Sequence, residues 1–161
     1  MRPNGRVRDR LREEHGFTLV ELMVVIINLA ILMAIAIPTM TGALERVRDA
    51  AAKASLRTAL TAGRIYFVTG GDYAAAALTD LTEVENSVLW VSESTISDEP
   101  KTVSRDVAGG VLTLATYSKG GTCFFVKDDP PNDLTYARLD NVTPAACSAG
   151  NAGAVSFSST W

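Results

Sequence analysis

The feature that most constrains this chain is an unbroken apolar run over residues 17–37, in which Glu21 is the single charged residue. A helix of this length measures roughly 30 Å, which matches the hydrocarbon core of a bilayer. Apolar residues make up 47% of the chain, and they are densest in this run. The run therefore predicts a helix that spans a membrane.

Charge is distributed unevenly along the rest of the chain. Residues 1–16 carry five arginines and three carboxylates, so their net charge is +2; residues 38–67 carry +3 and residues 68–161 carry −7. Arginines on one flank of an apolar helix keep that flank in the cytoplasm, so residues 38–161 are predicted to cross the membrane. Their number suits one compact domain, and the acidic character of its larger part argues against nucleic acid as a general partner.

The helical pattern continues after the apolar run. Pro38 removes one helical hydrogen bond and is predicted to loosen the helix without ending it. Residues 39–67 show two apolar strips with basic residues between them, and Gly70-Gly71 is predicted to end the helix. Two strips suggest that the helix is buried twice, by its own domain and by neighbours. The first strip is Leu44, Val47, Ala51, Ala54, Ala62 and Ile65; the second strip is Leu56, Leu60, Gly63 and Phe67; the basic stripe is Arg46, Lys53, Arg57 and Arg64.

Beyond the helix, the chain alternates β-favouring segments with turn formers. Residues 72–83 are predicted as a loop or short helix. Short connections between the following strands imply an antiparallel meander, and one long helix against such a sheet is an α+β arrangement. The predicted strands cover residues 84–91, 101–107, 111–117, 122–127, 134–139 and 155–157.

A short motif stands where the basic leader meets the apolar run. The residues Gly16-Phe17-Thr18-Leu19-Val20-Glu21 resemble the processing site of type IV prepilins and pseudopilins. The resemblance implies that a prepilin peptidase and methyltransferase cuts between Gly16 and Phe17 and N-methylates Phe17. It also implies a filament of pilin copies, and Pro38 matches a helix-loosening proline of the family.

This resemblance divides the chain into four expected parts. Residues 1–16 are a cleaved leader, residues 17–37 a transmembrane and assembly helix, residues 38–70 its amphipathic continuation, and residues 71–161 a β-rich head that includes a loop bounded by two late cysteines. The expected location is the cytoplasmic membrane before assembly. After assembly it is an extracellular pilus or a periplasmic pseudopilus.

Two polar residues lie inside the predicted membrane helix. A carboxylate there costs up to about 3 kcal/mol, so Glu21 requires a partner, and cleavage would create one in the amine of Phe17. In a filament that amine can belong to another subunit, and the pair then sets the axial register of assembly. Asn28 is predicted to hydrogen-bond across packed helices.

Both cysteines, Cys123 and Cys147, lie in the part predicted to be outside the cytoplasm, where thiols oxidise. A disulfide between them is predicted, with two unpaired buried cysteines as the alternative. The basic stripe is open to three interpretations: a solvated face, contact with the acidic domain of a neighbouring subunit, or contact with DNA. For the cluster Asp128, Asp129, Asn132 and Asp133, a solvated turn is favoured over a calcium site because the spacing is not that of an EF-hand.

No catalytic motif is present, so no enzyme activity and no cofactor are predicted. The leading interpretation is a structural subunit of a type IV pilus-like filament, with a pseudopilin of a secretion or DNA-uptake machine as the alternative. A second class remains open: a secreted binding domain released after Ala36 by signal peptidase, or a domain held by an uncleaved anchor. Neither of these two alternatives explains why a charged residue, Glu21, lies in the apolar run.

Overall fold

A computed structural model describes residues 16–161, so the basic leader up to His15 lies outside the described residues. The chain divides into two compact units, and the division falls between Met40 and Thr41. Helix α1, Leu19–Gly70, contributes its first half to one unit and its second half to the other. Pro38 lies inside this helix, as predicted, because a proline removes only one of its hydrogen bonds.

The end of α1 is also where the sequence predicted it. Gly71 adopts a left-handed φ of 77°, and its N–H donates to the carbonyl of Phe67 at 2.7 Å. Glycine tolerates this conformation without steric cost, so the pair Gly70-Gly71 terminates the helix.

The second unit contains a five-stranded sheet in the order β1-β2-β3-β4-β5. Strands β2 to β5 form the predicted antiparallel meander. A short helix α2, Leu78–Val84, precedes the sheet, and two short 3₁₀ helices, Pro144–Ala146 and Ala149–Ala154, follow it. The strands are β1 Leu89–Ser92, β2 Thr102–Ala108, β3 Val111–Ser118, β4 Thr122–Asp128 and β5 Thr135–Leu139.

Three details of the predicted strands are wrong. Strand β1 runs parallel to β2, because the connection over residues 93–101 is long enough to return along a four-residue strand of roughly 13 Å. The predicted strand at residues 84–91 starts only at Leu89, since α2 takes up Val84. Residues 155–157 form no strand, and only Ser158 makes an isolated bridge, with Tyr136.

The two faces of the sheet carry two different cores. The second half of α1 covers one face, with residues such as Leu56 and Leu60 packed against Leu114 and Phe124. On the other face, Cys123 and Cys147 form the predicted disulfide, with a Cα–Cα distance of 5.5 Å and no solvent exposure of either residue. The segment over residues 142–157 therefore packs on the sheet from the side opposite the helix, whereas Trp161 packs against Phe124 on the helix side.

Candidate assembly site

The predicted cleavage site is exposed. Phe17 is 88% exposed, and a Cβ added to Gly16 would have no other heavy atom within 4 Å. Both residues precede the first turn of α1, which begins at Leu19. The peptide bond between them thus lies outside regular secondary structure, in an open part of the chain.

Glu21 has a local partner that the sequence analysis missed. Its Oε2 accepts hydrogen bonds from the backbone N–H and the hydroxyl of Thr18, at 3.2 and 3.1 Å, while the Thr18 hydroxyl accepts from the N–H of Glu21 at 3.1 Å. This is a capping box, in which the residue before the helix and the third helical residue satisfy each other's backbone groups. The signal was readable in the sequence as Thr followed three residues later by Glu.

The first half of α1 buries no side chain within its own unit. Every residue from Phe17 to Met40 is exposed, including Asn28, and within the described part of the chain α1 is long and apolar enough to cross a membrane. A continuous apolar surface of this size marks contact with lipid or with other proteins. Residues 16–161 therefore leave this half of the helix uncovered.

The second half of α1 divides into a buried and an exposed face. The second strip lies against the sheet, whereas the first strip is exposed, with Leu44 at 49%, Val47 at 66% and Ile65 at 50%. Ala62 is the exception, because it is buried beside a cleft that it shares with Val84 and Glu85 at the end of α2. Of the two apolar strips that were expected to be buried, the domain therefore buries the second, and most of the first remains exposed.

The basic stripe is split as well. Lys53 lies over the rings of Phe124 and Trp161, with its Nζ 4.9 and 5.1 Å from the ring centroids, a cation–π arrangement. Arg64 donates two hydrogen bonds to Asp128, at 2.7 and 2.9 Å. Arg46 and Arg57 are exposed. Half of the stripe therefore stabilises the fold, which reduces the positive surface that a polyanion could contact.

The prediction that Asp128 lies in a solvated turn is wrong. It is the last residue of β4, is 3% exposed, and accepts a hydrogen bond of 2.5 Å from the Tyr73 hydroxyl in addition to those from Arg64. The other acidic residues of the cluster follow in the β4–β5 connection. Among residues 16–161, no group of three or more His, Cys, Asp or Glu side chains is arranged to hold a metal ion.

Asp128, Arg64 and Tyr73 form a hydrogen-bonded triad in which each group shifts the pKa values of the others. The hydrogen bond from Arg64 holds the pKa of the Asp128 carboxyl below its ordinary value, and the bond from Tyr73 adds to this while burial opposes it. Burial raises the pKa of the Tyr73 phenol, and its bond to Asp128 raises it further. The bond to Asp128 raises the pKa of Arg64 against the effect of burial. The network links the last turns of α1 and the segment that follows it to the end of β4.

Comparison with known proteins agrees with this arrangement. Residues 11–37 match the family model described as the prokaryotic N-terminal methylation motif. The type IV wide pilus major component PilA4 of Thermus thermophilus is 37% identical over 139 residues, which cover 85% of this chain and 99% of that protein. The chain belongs to the type IV pilin family. No solved structure matches it significantly.

Family membership explains the surfaces that the fold leaves exposed. A pilin is a structural subunit that assembles with other pilin copies in a filament, and an apolar helix half that none of residues 16–161 covers fits membrane anchoring before assembly. Gly16 and Phe17 lie just before this helix, Glu21 lies in its first turn, and Asn28 and Pro38 lie farther along it. The residues predicted for assembly thus lie on α1, and those predicted for processing directly precede it.

Proposed function

We propose that this pilin is cleaved between Gly16 and Phe17, N-methylated at Phe17, and polymerised through α1 into a type IV pilus. Its partners are a prepilin peptidase and methyltransferase and further copies of itself or of related pilins. Before assembly the chain spans the cytoplasmic membrane once, with its amino terminus inside. Residues 17–37 then act as membrane and assembly helix, residues 38–70 as its continuation, and residues 71–161 as the head.

The observation that carries this proposal is the complete exposure of the apolar half of α1. In the membrane, lipid covers these side chains; in a filament, the helices of neighbouring subunits cover them. The exposed first strip extends the same apolar character beyond Pro38, onto the helix face that the sheet does not cover. One helix can therefore serve both stages.

Glu21 supports an ordered assembly. In the single chain, its carboxylate is hydrogen-bonded to Thr18, so it can be held at the helix start before a second subunit is present. The groups that donate these bonds are uncharged, so they supply no counter-ion to the carboxylate. The amine of Phe17, freed by cleavage, supplies that counter-ion in the proposed filament and selects one axial register between neighbours.

The pilus is favoured over the pseudopilus because the relative is a major pilus component that aligns along nearly its whole length, head included. Electron microscopy of cells lacking this gene tests the distinction. We expect loss of surface filaments and their return on complementation. Normal surface filaments in the deletion strain, together with a defect in secretion, would favour the pseudopilus instead.

Processing is tested by intact mass and amino-terminal sequencing of the mature protein. We expect it to start at N-methylated Phe17, whereas a start at Ile37 would indicate a conventional signal peptide and a start at Met1 an uncleaved anchor. The variant Gly16→Leu should accumulate as membrane-bound precursor, because a peptidase that cuts beside a bulky Phe requires a small residue before it. Gly16→Ala is the matched control, since it adds one methyl group and should still be cut in part.

A further inference from the structure

We infer that the sheet face opposite α1 carries a binding site for a small neutral hydroxylated molecule, such as a single sugar unit. The site is a cavity of about 190 Å³ between strands β2, β3 and β4 and the second 3₁₀ helix. This inference concerns a different surface from the proposed assembly helix and does not depend on it.

Three polar side chains form a row across the floor of the cavity. The sheet register pairs Asp106 with Thr113, and Thr113 with Lys127, so a carboxylate, a hydroxyl and an ammonium group occupy adjacent strands at one level. Neighbouring strands lie roughly 4.8 Å apart, which places the two charged residues about 9.6 Å apart at their backbones. They flank the threonine and form no ion pair with each other among the described residues.

The hydrogen-bonding capacity of this row is unused by the rest of the described chain. Within residues 16–161, no hydrogen bond of the Asp106, Thr113 or Lys127 side chain to another protein group is found. Thr113 is only 6% exposed as a residue, but its hydroxyl is not among the buried side-chain atoms that lack a partner, so it is accessible from the cavity. The neighbouring residue Arg105 alternates to the helix side of the sheet, where it donates to the carbonyl of Tyr73. The row therefore offers donors and acceptors to a molecule in the cavity.

The walls of the cavity are apolar. Phe157 lies beside Lys127, whose Nζ is 5.7 Å from the ring centroid, and Val111 and Ala149 contribute further hydrocarbon surface. The volume is below the roughly 300–1,000 Å³ of pockets that hold drug-sized ligands. A small ligand with one apolar side and several polar groups suits this lining.

The charges of the lining narrow the ligand class. An anion would meet the Asp106 carboxylate and a cation would meet the Lys127 ammonium, so a ligand with a single charge gains at one end and loses at the other. A sugar ring has hydroxyls that donate to a carboxylate and accept from an ammonium or a threonine hydroxyl, and its C–H groups can contact Phe157 and Ala149. A zwitterionic amino acid is the competing ligand, because it too has opposite charges at its ends.

The test is a chemical-shift titration of the isotope-labelled full chain in dodecylphosphocholine micelles, a detergent without a sugar headgroup. The probes are galactose, glucose, mannose and N-acetylglucosamine, with serine and acetate as charged comparisons. We expect at least one sugar to shift the signals of Thr113, Lys127 and Ala149 saturably at concentrations on the order of 100 mM or below, since so small a contact supports millimolar affinity.

Three substitutions locate the site. Asp106→Asn, Thr113→Val and Lys127→Met should each weaken the binding of that sugar, the two charged positions by about tenfold or more, as expected for loss of a charge-assisted hydrogen bond. Asp133→Asn and Lys101→Met remove the same charges at exposed positions and should leave the Kd unchanged. Unshifted signals outside the cavity establish that each variant is folded, and a variant that is not folded is replaced by Asp106→Glu or Lys127→Arg.

Three results would overturn the inference. The first is the absence of any saturable shift at the cavity with all four sugars. The second is sugar binding that the three cavity substitutions leave unchanged. The third is a larger response to serine or acetate than to every sugar, which would assign the cavity to a charged ligand.

Discussion

The two halves of α1 belong to one continuous helix but are stabilised in different ways. The first half, up to Met40, buries none of its side chains within its unit and carries one charged residue, Glu21. The second half places Ala52, Leu56 and Ala59 against the sheet with no solvent exposure. Most helical stability in proteins comes from packing of such a buried face, so the first half depends on lipid or on other subunits.

Because of this difference, substitutions in the two halves of α1 should have different effects. Substitutions in the first half should change membrane insertion or assembly while leaving the unfolding of the head unchanged. Substitutions on the buried face of the second half should change the free energy of unfolding of the head first. Each prediction below tests this division, from the largest expected effect to the smallest.

The largest effect is expected at Glu21. Glu21→Gln keeps the capping box with Thr18, because a glutamine at this position can accept the same hydrogen bonds, but it removes the charge that would pair with the Phe17 amine. We expect surface filament protein, measured by shearing and immunoblotting, to fall by more than about tenfold, the loss that an unpaired buried charge produces. The melting temperature of the head should not change.

Thr18→Val is the matched control for Glu21. It removes the hydroxyl of the capping box and retains the carboxylate, so it should weaken the helix start by about 1 kcal/mol and leave most filament assembly intact. If Thr18→Val lost filaments as completely as Glu21→Gln, the role of Glu21 would be capping. Wild-type filament yield from Glu21→Gln would contradict the proposed charge pairing.

The disulfide should have the next largest effect, and only on the head. The bridge joins residues 24 positions apart, and a loop of this length corresponds to about 3.5 kcal/mol of stabilisation in the chain-entropy model. The carbonyl of Cys147 also accepts a hydrogen bond from the N–H of Ser97, so reduction should loosen the connection before β2. Denaturant unfolding and amide exchange of the oxidised protein and of Cys123→Ser/Cys147→Ser measure both effects; equal stability, or loss of membrane insertion, would contradict the prediction.

Asp128→Ala should destabilise the head by about 2–3 kcal/mol, because the buried hydroxyl of Tyr73 loses its acceptor. The contribution of the ion pair is smaller than a fully buried pair would give, since the side chain of Arg64 is 49% exposed and remains hydrated. Asp133→Ala, at an exposed position in the following connection, is the control and should change the free energy of unfolding by less than about 0.5 kcal/mol. A similar effect of both substitutions would argue against a structural role of the triad.

The same triad predicts the pH dependence of stability. The pKa of Asp128 is lowered in the folded state, so the unfolded chain binds the proton more readily and stability falls as the pH drops below the ordinary aspartate range. The contribution is fully present above that range and is lost progressively as the pH passes through the folded pKa. Unfolding measured between neutral and acidic pH should therefore show a shallower acid loss in Asp128→Asn than in the wild type; identical slopes would contradict this.

The smallest effects are expected at two glycines of the second half of α1, with opposite signs. A Cβ on Gly63 would lie 2.7 Å from Cδ2 of Leu112, which is 1% exposed and has little room to move, so Gly63→Ala should cost about 1–3 kcal/mol through overpacking. A Cβ on Gly42 would have no other atom within 4 Å. Gly42→Ala should therefore stabilise the helix by about 0.5–1 kcal/mol. The melting temperatures of the two variants, compared with that of the wild type, test both expectations. A higher melting temperature of Gly63→Ala would contradict the first and show that the helix can move away from the sheet.

The long-range contacts explain where prediction from the sequence stopped. The basic stripe was visible from its helical period, but periodicity does not show that Lys53 meets Phe124 or that Arg64 meets Asp128, since those partners lie far along the chain. Asp128 was predicted to lie in a solvated turn with the rest of its cluster, since nothing in that local segment shows that Tyr73 and Arg64 reach it. The parallel pairing of β1 was missed for a similar reason, as local turn signals do not show which edge a longer connection reaches.

The sequence by itself determined the features that depend on local chemistry. The apolar run, the end of the helix at Gly70-Gly71, the four strands of the meander and the family motif around Gly16 all follow from residue type and short spacing. The tertiary structure decided which apolar strip of the helix meets the sheet, which cations remain exposed, and that Asp106, Thr113 and Lys127 form one row. These depend on the strand register and on the side of the sheet that each segment covers, and both result from packing the whole domain rather than from any single segment.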